Sequence, residues 1–367
     1  MTGMTDKPTI VHVIDDLNRG GAETLLVDLL KELSNHYNIV LVTLKKHTEF
    51  DAADVKCQYR YVLGYDYNVK FPLAVYRLRK IIRKHKPVLV RSQLYWITII
   101  ARLACPNNVP FVFSLHVTQS DEAFRHSPKG RLLKWMEEGT YKKRQVAIGV
   151  TQEVLDDYDK TIGIKGRQYV LNNYVNDAYF DHSKEYVSPH NGSLKMVAVG
   201  NLKTQKNYKV LLNAFKLLHN RGISCDIFGE GADRTMMQED ITRHNLPARL
   251  MGKSPKVYEQ LNNYDAFIMC SIYEGFGISV AEAMATGLPL FLSDLRVLRE
   301  ISEGNAIFFD PYNEKDLAEK IERFSKGEYD AGNMARKGKE ISQMNYSKKN
   351  YVQKLLKIYD EVLHGQR

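Results

Sequence analysis

An alternation that runs, stops and starts again restricts the fold more than any other feature. Short β-branched runs such as TIVHVID (9–15), NIVLVTL (38–44), PVLVRSQ (87–93), PFVFSLH (110–116) and VAIGVT (146–151) are separated by stretches of helical spacing. In AETLLVDLLKELSN (22–35), Leu25, Leu26, Leu29, Leu30 and Leu33 repeat at that spacing. Strands this apolar, divided by helices, imply a parallel sheet covered on both faces. Around DHSKEYVSPHNGS (181–193) the pattern turns polar and gains Pro and Gly, as a linker does. It then resumes with LKMVAVGN (194–201), SCDIFGEG (224–231), DAFIMCS (265–271), LPLFLSD (288–294) and NAIFFD (305–310). A chain of 367 residues is too long for one ordinary core. The expectation is an α/β protein of two Rossmann-like, doubly wound parallel-sheet domains facing across a cleft. The domains would be 1–185 and 186–345, with terminal helices at about 346–367. In such sheets ligands bind beyond the carboxyl ends of the strands.

Several classes are disfavoured. No run of about 18 apolar residues exists, so no spanning helix is expected. TIVHVID is short, runs into Asp15 and Asp16 and lacks the flanks of a signal peptide. Cys57, Cys105, Cys225 and Cys270 are far apart, which fits a reduced cytoplasmic chain without zinc. The net charge of +9 is uneven, because the first 180 residues carry 26 Lys+Arg against 19 Asp+Glu. From Tyr67 to Gln119 there is no acid, but Lys70, Arg77, Arg79, Lys80, Arg83, Lys84, Lys86, Arg91 and Arg102.

The stretch YEGFGISVAEAMATG (273–287) follows the strand DAFIMCS and so falls in the expected ligand crevice. Gly275 and Gly277 allow a sharp turn and close approach to a ligand. The helix that follows offers free N–H groups and a positive dipole end, an anion site. Glu282 has two readings: a ligand-binding carboxylate, or the partner of Ser279 in a capping box.

These residues resemble the E-x7-E signature of retaining glycosyltransferases of the GT-B fold, glycosyltransferase family 4 (group 1). The likeness extends along the chain. RGGAETLLVDLL (19–30) is similar to the family's first glycine loop, SLHV (114–117) to the segment with its cleft histidine, and VLNNYVN (170–176) to its V-x-P-N-G-V-D segment. VGNLKTQKN (199–207) resembles its phosphate stretch and FGEGADR (228–234) its G-x-G-x loop. Asn201 stands where the family usually has Arg.

The resemblance implies transfer of a sugar from a nucleotide-diphosphate donor (UDP- or GDP-) to a saccharide acceptor, with the donor held in the second domain and the acceptor in the first. Glu282 would accept hydrogen bonds from the ribose, while Glu274 would face the donor sugar. Gly275 and the backbone of Phe276, Gly277 and Ile278 would hold sugar hydroxyls or the diphosphate. Lys206 would neutralise the leaving phosphate. His116 would reach the anomeric carbon, and Gly20, Gly21, Asn201 and Gly229 would line the donor site. Gly20 and Gly21 could equally form a simple turn. No metal or cofactor is expected; Asp157-x-Asp159 falls in a helical stretch and reads as a solvated face. A nucleotide-sugar epimerase on the same fold and a basic nucleic-acid binder are the alternatives, the latter lacking any recognition motif.

The basic run YRLRKIIRKHK (76–86) reads as a helix with Leu78, Ile81 and Ile82 towards the sheet and Arg79, Lys80, Arg83, Lys84 and Lys86 towards solvent. Arg125, Lys129, Arg131, Lys134, Trp135, Lys142, Lys143 and Arg144 add to it. Five such cations at about 1 kcal/mol each could hold an enzyme at an anionic leaflet. The expectation is a peripheral enzyme on the cytoplasmic membrane face, extending a lipid-linked or cell-surface glycan.

Overall fold

The computed structural model of the protein describes residues 7–18, 21–65, 71–117, 127–188, 193–218 and 222–365. It divides into two compact units, Met1–Asn172 with Val352–Arg367, and Asn173–Tyr351. The division falls ahead of the 185/186 boundary that the polar stretch suggested. The reason is local: β-structure in the first unit ends at Val170, whereas Tyr174 is buried and its ring lies 4.9 Å from that of Tyr351. Val175 then bridges to Ser347, within the second unit.

The first unit is built on β1 (Thr9–Ile14), β2 (Asn38–Thr43), β3 (Tyr59–Val62), β4 (Leu89–Gln93), β5 (Phe111–Leu115), β6 (Val146–Gly149) and β7 (Gln168–Val170). They form one sheet in the order β3-β2-β1-β4-β5-β6-β7, and each pairing is parallel. The second unit has β8 (Leu194–Val199), β9 (Ile223–Phe228), β10 (Ala248–Gly252), β11 (Ala266–Met269), β12 (Leu290–Ser293) and β13 (Ile307–Phe309). Their order is β10-β9-β8-β11-β12-β13, again all parallel. Both orders reverse once, between β1 and β4 and between β8 and β11, and such a reversal opens a crevice beyond the strand ends.

Central strands are buried on both faces, which is why β11 reads as an unbroken apolar run, whereas β4 (LVRSQ) is equally buried but carries a charged residue. Helices bury one stripe. Phe71–His85 buries Ala74, Leu78 and Ile82 at four-residue spacing and leaves Arg79, Lys80, Arg83 and Lys84 exposed. Ile81, expected inward, is only partly buried. Two members of the acid-free basic stretch lie inside rather than on a face. Arg91 is buried in β4 and donates to Ser114 Oγ and to the Tyr359 hydroxyl of the helix Lys348–His364. Arg102 is buried 2.8 Å from Glu137 and stacks on Phe113, with its guanidinium carbon 4.3 Å from the ring centroid. Burying a guanidinium is tolerable only with such partners.

Candidate donor-binding site of the second unit

The site grows from the loops that follow the two strands at the switch point, β8 and β11. After β8 the chain passes Gly200 and Asn201, makes a short 3₁₀ turn at Thr204–Lys206 and takes a left-handed residue at Asn207. That turn is fastened to the other loop: Ile272 N–H donates to the Gln205 carbonyl at 3.0 Å, and Gln205 Nε2 to the Tyr273 carbonyl at 2.8 Å. Lys206 is thereby delivered to Glu274, with Nζ 2.6 Å from Oε1. Ser271 Oγ donates to the same oxygen at 2.6 Å. Glu274 is buried, and its two partners converge on Oε1, which leaves Oε2 for a ligand.

Gly277 begins the helix Ile278–Thr286 with φ 75°, a left-handed conformation natural to glycine. No side chain caps this helix. The capping-box reading of Ser279 and Glu282 does not form, because Ser279 lies within the first turn and donates to the Val199 carbonyl at 3.1 Å. Its first N–H groups stay available to an anion. Phe276 turns its ring inward, edge-on to Tyr346 with centroids 5.4 Å apart, so only its backbone borders the site.

Glu282, one turn into the helix, accepts the hydroxyl of Tyr179 from the helix Asp177–Asp181. Desolvation pushes this carboxyl up to about 7, against the opposing effect of the Tyr179 hydrogen bond. Burial next to that carboxylate also holds the Tyr179 hydroxyl far above its ordinary range. The Tyr179 ring meets Tyr258 edge-on at 5.7 Å, which fixes its direction.

A third loop closes the crevice floor. Gly229, after β9, has φ 153°, and a Cβ there would stand 1.9 Å from the Gly200 carbonyl oxygen. Two backbones therefore meet with no room for a side chain. Asn201 is exposed, and Arg234, a possible replacement for the cation missing at 201, donates to Glu230 at 3.0 Å.

In the first unit, His116 directly follows β5. Its Nε2 is enclosed without a hydrogen-bond partner among the described residues. Burial and the Arg91 charge lower its pKa to about 4, so the ring is neutral at pH 7. Gly21 opens the helix Gly21–Leu33 with open space where a Cβ would stand, and Gly20 lies outside the described residues. Arg125 also lies outside them. Among the described residues no group of three or more His, Cys, Asp or Glu could hold a metal ion.

Two carboxylates are thus placed at the switch point of a doubly wound sheet, one gripped by a lysine and one by a tyrosine, beside an uncapped helix start. Such a layout, at the carboxyl ends of the strands beside a switch point, is where α/β enzymes bind ligands. Residues 19–179 match the model of Glycosyltransferase Family 4 and residues 182–341 that of Glycosyl transferases group 1, and the chain belongs to this glycosyltransferase family. It is 24% identical over 322 residues to the putative glycosyltransferase EpsF of Bacillus subtilis, covering 78% of this chain and 79% of that one. It is 26% identical to mannosylfructose-phosphate synthase of Agrobacterium fabrum over 246 residues, 60% of this chain but only 54% of that protein. Among solved structures, HepE of Anabaena in complex with UDP superposes with a TM-score of 0.80 at 15% identity, over 96% of this chain and all of the other. Sucrose-phosphate synthase of Thermosynechococcus elongatus gives 0.79 at 14% identity, over 97% of this chain and 100% of that chain. The fold is GT-B, and the comparisons favour a glycosyltransferase over the epimerase alternative.

Proposed function

We propose that the enzyme moves a sugar, with retention of anomeric configuration and without a metal, from a UDP- or GDP-sugar to a saccharide acceptor in glycan or polysaccharide synthesis. The observation that carries this reading is Glu274, buried and held through one oxygen by Lys206 and Ser271. HepE, similar in fold, has been solved with UDP and with UDP-glucose, which favours a uridine nucleotide.

In this reading Glu282 accepts the ribose hydroxyls and the open helix start at Gly277–Ser279 receives the diphosphate or sugar hydroxyls. Asn201 and Gly229 line the donor path in the second unit. Lys206 shares its charge between Glu274 and the leaving phosphate, stabilising negative charge where it develops. Glu274 favours the positive charge that grows at the anomeric carbon. The bond from that carbon to the phosphate oxygen breaks as the acceptor oxygen bonds from the same face, and the acceptor proton passes to the leaving phosphate. Glu282 is committed to the ribose, so the pair of carboxylates about 5 Å apart that a double displacement needs is absent from this scheme. His116, neutral, supplies a hydrogen bond rather than a charge.

The acceptor is lipid-linked and the enzyme works at the cytoplasmic membrane face. The exposed cations of the helix Phe71–His85 support this, as do exposed Leu132 and Trp135 beside Arg131 and Lys134 on the helix Pro128–Thr140. No described helix is long and apolar enough to cross a membrane. The test is turnover of a panel of nucleotide sugars with undecaprenyl-diphosphate-linked saccharides in EDTA, with NMR of the early product. An inverted anomer, or activity that chelation abolishes and Mn²⁺ restores, overturns the mechanism.

A further inference from the structure

A recess of about 520 Å³ lies wholly within the first unit, lined by Arg79, Arg83, Arg102 and Lys142 together with Asn107 and Thr140, and no carboxylate lines it. Its position sets it apart from the sugar-transfer site. The helices Phe71–His85, Tyr95–Ala104 and Pro128–Thr140 contribute their C-terminal halves, and the turns before β5 and β6 complete the wall. Helices that return along a parallel sheet end at its amino edge, so the recess opens on the side of the first unit's sheet opposite the carboxyl ends of its strands.

Two of its cations are accounted for by the fold. Arg102 is neutralised by Glu137, and Arg79 donates to the Leu103 carbonyl at 2.6 Å, a usual role for a cation at a helix end. The side chains of Arg83 and Lys142, by contrast, have no hydrogen-bond or ion-pair partner among the described residues, although the Lys142 backbone bonds to Gln145. Arg144 adjoins the rim; one of its guanidinium nitrogens fastens Pro106 and Asn107, and the other, Nη2, is buried without a partner. Like charges gathered in a concave wall repel one another and raise the local potential for an anion. Planar guanidinium groups match the paired oxygens of a phosphate, as they do those of a carboxylate. The volume exceeds a bare phosphate and fits a phosphate ester.

We propose that this recess binds a phosphate-bearing group, a phosphoester of headgroup size, at a site separate from the transferase centre. The group comes from a lipid headgroup or from a soluble phosphate ester. Trp135, four residues before Gly139 on the same helix and 69% exposed, stands where a leaflet would meet the recess.

The test uses the full chain with UDP present to fill the second unit. Glycerol 3-phosphate is titrated calorimetrically, and vesicles of phosphatidylcholine with and without phosphatidylglycerol are sedimented. The recess variant Arg83→Gln/Lys142→Gln is compared with the charge-matched Lys80→Gln/Lys86→Gln on the same exposed surface. The recess variant should lose about tenfold or more in glycerol 3-phosphate affinity, because charge-assisted bonds are removed, while the control stays within about twofold. Loss of phosphatidylglycerol vesicles by the recess variant alone identifies the lipid as source. Binding of glycerol 3-phosphate by a wild type that ignores vesicles supports the site with a soluble ester and removes the membrane reading above. Equal loss of glycerol 3-phosphate affinity in both variants, such loss in the control alone, or no binding of either probe by the wild type overturns the proposal.

Discussion

Changing Tyr179 to Phe removes one hydroxyl and separates donor recognition from simple folding. In the ligand-free enzyme that hydroxyl is the partner of Glu282, whose carboxyl stands at about 7. A hydrogen bond to a charged group contributes about 1.5–3 kcal/mol, equivalent to about 1–2 pKa units. Without Tyr179 the Glu282 carboxylate loses that support, and its pKa rises towards about 8–9. At pH 7 the wild type is half ionised, while the variant would be ionised in only about a tenth to a hundredth of molecules. A ribose that donates to the carboxylate binds the ionised form, so affinity for UDP-glucose should rise with pH through about 7 in the wild type. The variant should bind about 5- to 50-fold more weakly at pH 7 and recover most of the loss above about pH 9. UDP-glucose suits the calorimetric titration because its two phosphates keep their charges across this range. Recovery at high pH is the deciding result, since a merely loosened site would stay weak at every pH. Wild-type affinity flat from pH 6 to 9, or a variant profile that does not move, refutes the reasoning.

Burial raises the Glu282 pKa from 4.5, so the folded state binds its proton more tightly than the unfolded chain, and stability should fall by up to about 3 kcal/mol as pH climbs from 4.5 to 7; Glu282→Gln should flatten that slope in denaturant titrations. Glu274→Gln should lower kcat by about 10²–10³-fold with little change in donor affinity, and Lys206→Met combined with it should cost less than the sum of the single losses, because the two groups act as a pair; additive losses in kcat/KM would contradict the pairing. Gly229→Ala should lose at least about 2 kcal/mol in thermal unfolding, since a Cβ 1.9 Å from the Gly200 carbonyl forces both loops apart. Glu137→Ala strands the Arg102 charge inside the first unit and should cost about 3–5 kcal/mol in chemical unfolding, whereas an ordinary melting curve would show the pair to be dispensable.

The fold was legible because its signal is local and repeated. A strand such as AFIM is apolar on both faces only in a covered parallel sheet, and the alternation of strand and helix recurs through thirteen strands among the described residues. Charge was less legible. A run without acids predicts a basic surface only if every cation points outward, yet Arg91 and Arg102 are buried with hydroxyl, aromatic and carboxylate partners. Those partners, Tyr359 and Glu137, are 268 and 35 residues away, beyond any window of periodicity. The division between the units lies ahead of the polar stretch for a related reason. Polarity between 181 and 193 marks a solvated connection, but Tyr174 and Val175 had already committed to the second unit through buried contacts.

The site divides along the same line. Glu274, Gly277 and Glu282 lie on one continuous strand, turn and helix, so spacing alone placed them together, and Ser271 could have been added from its position three residues before Glu274. Tyr179 could not. It precedes Glu282 by about a hundred residues and belongs to a five-residue helix whose own spacing gives no reason to face a carboxylate. What brings it there is the return of the chain into the second unit at Asn173, followed by its ring packing on Tyr258. The same placement explains why Glu282 is free of the capping role that its sequence allowed. Ser279 spends its hydroxyl on Val199, and the carboxylate, left without a helix-start partner, takes its hydrogen bond from Tyr179. A carboxylate so placed is held by a single neutral hydroxyl, which under the proposed function would give way to those of the ribose.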